Sequence, residues 1–433
     1  MSSLRYPWGG ARPDLLRGSN DLTRRVVVTG IGLVSPVGND TPSTWNALCE
    51  GTSGGGPITV FDASDQETRI ACEVKGFDPS LYLDRKEIRR NDRFVHYAVA
   101  ASKQALADAE FTISDENAED VGVIIGSGIG GLATCHDQFK VLFDRGPDRV
   151  SPFFITMFIT DIAAGVISMQ TGAKGPNFAT VSACATSANA IGEAAEIIRR
   201  GDAVAMIAGG SECGITPMGI ASFASMHALS RNNDDPEHAS RPFDATRDGF
   251  VMGDGSGVLI LEDEEYARKR GARIYAEIVS YASTADAYHI TEPAPGGEGL
   301  ARAIRKALKK GEINTDEVDY INAHGTSTLY NDRNETLAIK SVFGDHAHKL
   351  AVSSTKSMIG HTLGAAGGIE AAVTALTLHE GIITPTINLT HPDPECDLDY
   401  VPNESRTAHP TVAISNSMGF GGHNAVLVMR RYE

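Results

Sequence analysis

The stretch Ala183-Cys184-Ala185-Thr186-Ser187-Ala188-Asn189-Ala190-Ile191-Gly192 limits the fold more than any other part of the chain. It runs on to Ile197-Ile198-Arg199-Arg200-Gly201, where two arginines followed by glycine are the stop signals of a helix. Turn-rich Gly172-Ala173-Lys174-Gly175-Pro176-Asn177 lies ahead of it, so the helix begins at or beside Cys184. Ala, Ser and Gly dominate this helix. Its neighbours can therefore pack close, which predicts a buried, central position. Free N–H groups and the positive end of the helix dipole favour a thiolate at such a place. Taken alone, Cys184 reads more plainly as a small buried side chain; the rest of the chain decides.

Apolar runs that end in glycine loops alternate with helical patterns. Arg25–Gly32, Val121–Gly126 and Ala203–Gly210 read as buried strands, and residues 41–50 and 94–109 as helices. This alternation predicts an α/β protein whose mainly parallel sheet is covered on both faces. From Arg273 the pacing starts over. A strand at 273–279, a helix at 298–310, a strand at 318–323 and a helix near 331–343 follow. Then come a strand near 350–353, a helix at 367–380 and strands at 411–416 and 425–430. The division expected is an arm at 1–24, disordered, and two similar halves at 25–272 and 273–433. The glycines of Val121–Gly131 lack the acid about 20 residues on that a dinucleotide site needs, and read as close backbone approach.

A net charge of −17 argues against general nucleic-acid binding and against an anionic membrane surface. Six cysteines without a CxxC pair suggest neither a zinc site nor a disulfide framework, and fit a reducing compartment. No apolar run approaches the ~18 residues of a spanning helix.

Three further motifs fall where strands finish, the place where open α/β sheets build their sites: Asn322-Ala323-His324-Gly325-Thr326-Ser327-Thr328, Lys356-Ser357-Met358-Ile359-Gly360-His361 and Gly419-Phe420-Gly421-Gly422-His423-Asn424. His324 and His361 are wedged among glycines and small residues, a setting that brings backbone close to a ligand. Lys356 sits in a segment too apolar for a solvated lysine; an ion pair with Glu370 is its plain reading.

In this order the four motifs resemble the β-ketoacyl-acyl carrier protein synthases, in the elongating type II form. The likeness runs from about Arg25 to the C-terminus. It implies a thiolase-like, five-layered α-β-α-β-α fold of two similar halves, as a homodimer in the cytoplasm, with an organelle left open. It implies decarboxylative condensation of malonyl-acyl carrier protein with an enzyme-bound acyl chain, lengthening it by two carbons. Cys184 matches the nucleophile, His324 and His361 its two histidines, and Lys356 and Glu370 their supporting pair. Phe420 matches the gating residue whose N–H joins that of Cys184 in an oxyanion hole. Ile129, Phe223 and Phe250 match pocket residues, and Thr326 and Thr328 the threonines facing the pantetheine arm. Arg85, Lys86, Arg89 and Arg90 match the segment that docks the acidic carrier. No metal or cofactor is expected, apart from a monovalent cation near Lys356 and Glu370, which the sequence leaves open.

The chain departs from the family pattern at His227 and Asp148, both basic positions elsewhere, so carrier docking is rearranged or the carrier differs. Leu329-Tyr330 follows the second motif where proline is common. A free-standing polyketide ketosynthase of the same fold is the alternative. A degradative thiolase would want a second cysteine near Phe420, an initiating synthase an asparagine for His361, and a papain-like protease a different cysteine context.

Overall fold

A computed structural model of the chain describes residues 24–433; the expected arm at 1–24 therefore lies, apart from Arg24, outside the described residues. The first half contains β1 (Val26–Val34), α1 (Arg85–Arg90), α2 (Arg93–Asp108), β2 (Val121–Gly126), α3 (Ile162–Thr171) and β3 (Asn177–Phe178). It continues through α4 (Thr186–Arg200), β4 (Ala205–Glu212) and β5 (Gly255–Asp263). The second half contains β6 (Ala276–Ala285), α5 (Glu298–Lys310), β7 (Tyr320–Asn322), α6 (Leu329–Phe343) and β8 (Ala351–Ser353). Then follow α7 (Ala366–Glu380), β9 (Val412–Gly419) and β10 (His423–Arg431).

The strands hydrogen-bond in the order β8-β7-β9-β10-β6-β1-β5-β4-β2-β3. Each half thus places its strands as third-second-fourth-fifth-first, and a short antiparallel pairing of β1 with β6 (Val26↔Ile278 to Val28↔Ala276) joins them.

The mainly parallel sheet expected from the alternation is corrected here, because the sheet is mixed. Strands joined through helices that cross the sheet pair in parallel: β2 with β3 and β4, and β7 with β8 and β9. Elsewhere the pairing is antiparallel. The turn at 420–422 is too short for a crossover, so β9 and β10 form a hairpin. β5 was not among the expected strands, since its Gly-Ser-Gly opening reads as loop.

α4 and α7 lie between the halves, each packed on strands of both. α2 and α3 cover the outer face of the first half, and α5, flanked by α6, that of the second. This gives five layers, α-β-α-β-α, the thiolase-type arrangement. Strand alternation explains why the runs are apolar throughout. β5 sends Leu259 and Leu261 into the central core and Val258 and Ile260 into the outer one. β10 does the same with Leu427 and Met429 against Val426 and Val428. The small residues of the two central helices set the spacing. A Cβ on Gly257 would collide with the backbone of Gly368 and Ile369 in α7, and one on Gly367 would stand 2.7 Å from the Ala188 nitrogen of α4. Among the described residues no helix is long and apolar enough to cross a membrane, and all six cysteines are free.

Candidate active site

Ala183–Ala185 forms a 3-10 turn that runs into α4, which ends at left-handed Gly201. Ala183 sits at φ 50°, an uncomfortable value for a residue with a Cβ. The second half repeats the device: the 3-10 turn Leu363–Ala365 opens α7, with Leu363 at φ 49°. Gly364 therefore stands where Cys184 stands in the first half. Cys184 is buried with 8% of its surface left accessible, in an apolar cluster with Ile215, Ile220, Phe250 and Leu363. Ile129 and Phe223 pack against that cluster. Burial pushes the Cys184 thiol up to about 12, while the Lys356 ammonium and the Phe420 N–H, aimed at the sulfur, pull it down. Desolvation thus works against the thiolate that the helix N-terminus, Lys356 and the Phe420 N–H favour, and it is the largest influence on the sulfur.

His324 follows β7, and the main-chain N–H groups of His324 and Gly325 donate to the buried Glu335 carboxylate at 2.9 and 2.8 Å. Lys356 donates to His324 Nδ1 at 3.3 Å and also pairs with Glu370, with both members of that pair buried. The Leu363 N–H donates to His361 Nδ1 at 3.3 Å. Each imidazole thus has a donor at Nδ1, which fixes the neutral tautomer with its proton on Nε2. The two rings stand 5.3 Å apart and nearly perpendicular. Burial first, then the Lys356 charge, holds both well below the usual histidine range. Burial raises Glu370, against the pull of Lys356.

A run of ring contacts closes the site. His361 meets Phe250 at 5.3 Å, Phe250 meets Phe223 at 5.4 Å, and Phe223 meets Phe420 at 6.2 Å. Phe420, in the β9–β10 turn, leads back to the sulfur through its N–H. A Cβ on the preceding Gly419 would stand 3.1 Å from the Cys184 nitrogen, so glycine keeps the space before that N–H open. Thr326 and Thr328 share a hydroxyl hydrogen bond of 2.9 Å on the loop after His324. The structure thus gathers Cys184, His324, His361, Lys356, Glu370, Phe420, Ile129, Phe223 and Phe250, with both threonines alongside.

Arg85, Lys86, Arg89 and Arg90 are exposed on α1, whose N-terminus is capped by Asp84 and Glu87. Arg90 lies over the Phe153 ring at 4.5 Å, and none of the four joins the contacts around Cys184. His227 is exposed and accepts from Arg231 at 3.0 Å; Arg231 also pairs with Glu67 at 2.6 Å. Asp148 is exposed beside Arg149. Leu329 and Tyr330 begin α6 and are exposed.

Three supporting residues escaped the sequence reading. Glu335 holds the His324 loop. Arg247, buried, donates to the Thr328 and Leu329 carbonyls at 3.2 and 3.1 Å and pairs with Asp393 at 2.7 Å. Glu212 ends β4. The signal for Glu212 was present: a lone acid closing a strand of otherwise apolar and small residues. Glu335 and Arg247 lie among ordinary charged residues, and only their burial marks them.

Models of the β-ketoacyl synthase N-terminal and C-terminal domains match residues 23–267 and 275–390. The chain belongs to the β-ketoacyl synthase family. A curated relative of this family from Synechocystis sp., named 3-oxoacyl-[acyl-carrier-protein] synthase 2, is 57% identical, covering 95% of this chain and 99% of its own. One of the same name from Staphylococcus aureus is 54% identical with the same coverage. Among solved structures, the ishigamide ketosynthase/chain length factor superposes with a TM-score of 0.89 at 34% identity, covering 95% of this chain and 100% of its own. A type II PKS acyl-carrier protein in complex with its ketosynthase, bound to the hexaketide, gives a TM-score of 0.88 at 36% identity with the same coverage.

Proposed function

We propose that this chain lengthens acyl chains by two carbons, condensing malonyl-acyl carrier protein with an acyl group held on Cys184. The observation that carries this reading is the pair of neutral imidazoles. Both are blocked at Nδ1 by donors and left with Nε2–H groups, beside a sulfur that receives the Phe420 N–H.

In the first half-reaction Cys184 attacks the acyl thioester while the Cys184 and Phe420 N–H groups stabilise the oxyanion. A thiol enters and a thiol leaves, so the exchange is proton-neutral overall, and a resting thiol at Cys184 is compatible with it. In the second, the bond from the malonyl carbon to its carboxylate breaks, carbon dioxide leaves, and the electron pair forms an enolate. Charge grows on the thioester oxygen, where the His324 and His361 N–H groups stabilise it. The Phe250 wall disfavours the ionised carboxylate. The enolate carbon attacks the acyl-Cys184 ester, and the sulfur leaves as a thiolate that takes up one proton from solvent. Burial and the Lys356 charge hold the histidines neutral, Glu370 anchors Lys356, Ile129 and Phe223 receive the acyl chain, and Thr326 and Thr328 face the pantetheine arm. The chemistry needs no redox or carbonyl-trapping cofactor.

In the same reading the α1 cluster docks the acidic carrier. A second copy covers the exposed edge strand β3, supported by exposed Phe178 and Val181. Free cysteines suit the reducing cytoplasm. A monovalent cation fits near Glu370, because Glu370 Oε2, Asn322 Oδ1 and Ser415 Oγ are buried oxygens without a hydrogen-bond partner, and Asn322 and Ser415 face each other in register. These residues would hold the ion, which would balance buried negative charge.

The test is mass spectrometry of carrier-bound products over a series of acyl lengths. Wild type is expected to give 3-oxoacyl products two carbons longer. Cys184→Ala should give none, yet still release carbon dioxide from malonyl carrier; condensation retained in that variant would reject the assignment. Repeated, unreduced extension by the wild type would point instead to the polyketide alternative.

A further inference from the structure

β4 ends on Glu212, whose carboxylate is fully buried. Its Oε1 accepts the Ser127 hydroxyl at 2.8 Å and the Ile129 N–H at 3.2 Å; Oε2 accepts the N–H groups of Gly128 at 2.7 Å and Gly364 at 3.0 Å. Ser127 Oγ in turn accepts the Gly130 N–H at 2.9 Å. All the donors are neutral, so oriented dipoles alone oppose the cost of burying the charge.

These donors come from two segments that do different work. One is the loop 127–130, which presents Ile129 to the Cys184 cluster. The other is the turn 361–365, in which the Leu363 N–H fixes the His361 tautomer. The segments touch with nothing between them. A Cβ on Gly364 would collide with Gly128, and one on Gly128 would stand 2.8 Å from Glu212 Oε2. A displacement of either loop is therefore felt by the other, by direct contact of Gly128 with Gly364 and through the carboxylate that both donate to.

We infer that Glu212 is a positioning residue that couples the acyl pocket to His361, so that movement of the Ile129 loop to admit an acyl chain is felt at the decarboxylating histidine. This rests on the roles proposed above for Cys184, Ile129 and His361. Glu212 reaches the site only through the Gly128, Ile129 and Gly364 amides.

Hydrogen-bond chemistry singles out a shape-conserving test. In Glu212→Gln the new NH₂ cannot face the two amide donors at Oε2. Turned toward Oε1 it meets Ser127, whose hydroxyl can reverse and accept, but it leaves the Ile129 N–H opposing another N–H. The Gly364 tie survives and the Ile129 tie is lost. Two measurements on the full-length protein follow. The first compares acyl transfer from long-chain and short-chain acyl carriers. The second is malonyl decarboxylation in a Cys184→Ala background, in a double-mutant cycle of Glu212→Gln with Ile129→Ala.

Glu212→Gln should shift the long-to-short ratio about threefold or more at a nearly unchanged melting temperature. Ile129→Ala should alter decarboxylation about threefold or more with Glu212 present and have little effect beside Gln. An unchanged ratio, or the same Ile129→Ala effect in both backgrounds, overturns the coupling while leaving the proposed function intact. If the glutamine variant melts early, Glu212→Asp, which keeps the charge, should restore the melting temperature without restoring the ratio; recovery of both would mean a merely structural role and would also overturn the proposal. A wild type that transfers no acyl chain would sink the proposed function and the coupling together.

Discussion

At Cys184 burial and charge pull in opposite directions. Burial pushes the thiol up to about 12, and Lys356 and the Phe420 N–H only partly offset it. Because the nucleophilic thiolate is then a small fraction at neutral pH, alkylation of Cys184 by an uncharged reagent should climb about tenfold per pH unit from pH 7 to 9. A plateau near pH 7 in a stopped-time mass-spectrometric assay would show that the dipoles win instead. The histidines run the other way. Their pKa values lie below the ordinary 6.5, so the neutral, donating form persists as pH falls. Malonyl decarboxylation by Cys184→Ala should therefore hold its rate through pH 6.5 and fall only on further acidification. Half-loss at 6.5 in the pH–rate profile would mean that solvent reaches the rings. Residue identity made the candidate set legible in sequence: the cysteine, two histidines and lysine could be named. The protonation states could not, because they depend on what surrounds each group.

At the scale of elements, contact between α7 and β5 holds the centre together. Gly257 lies against the Gly368–Ile369 backbone with no room for a methyl group. Gly257→Ala should destabilise the protein by about 1–3 kcal/mol through overpacking, with the urea midpoint lowered and the m-value kept. A change under ~0.5 kcal/mol would mean that α7 can shift freely. The small-residue composition of α4 announced a central helix, and that expectation agrees with the structure. β5 and the mixed sheet were not legible. Strand direction depends on whether a connection crosses the sheet, and a glycine-rich strand lacks the periodic signal that marks the others.

Across the whole molecule, a chain of net charge −17 requires a local basic surface to meet an acidic partner. α1 presents four exposed cations on one short, capped helix. Lys86→Glu with Arg89→Glu should weaken carrier binding about tenfold at low salt, mostly through slower association. The gap should narrow as salt shortens the screening length toward ~3 Å at 1 M. Equal affinities at low salt, by surface plasmon resonance, would place docking elsewhere. The two-half architecture is itself a whole-molecule property. Its pacing showed in the sequence from Arg273, but the stacking of the halves around α4 and α7 did not.

The sequence by itself determined the inventory: two runs of strands and helices, a helix of small residues headed by Cys184, and polar motifs at strand ends. Those follow from local periodicity, turn chemistry and residue type, which act over a few residues. Only the tertiary structure decided that Cys184, His324 and His361 share one enclosure. It also decided that both imidazoles are neutral at Nδ1 and that Glu212 and Glu335 are buried. These outcomes depend on desolvation and on hydrogen bonds between segments more than a hundred residues apart in several cases, as from Glu212 to Gly364. No local pattern carries that information.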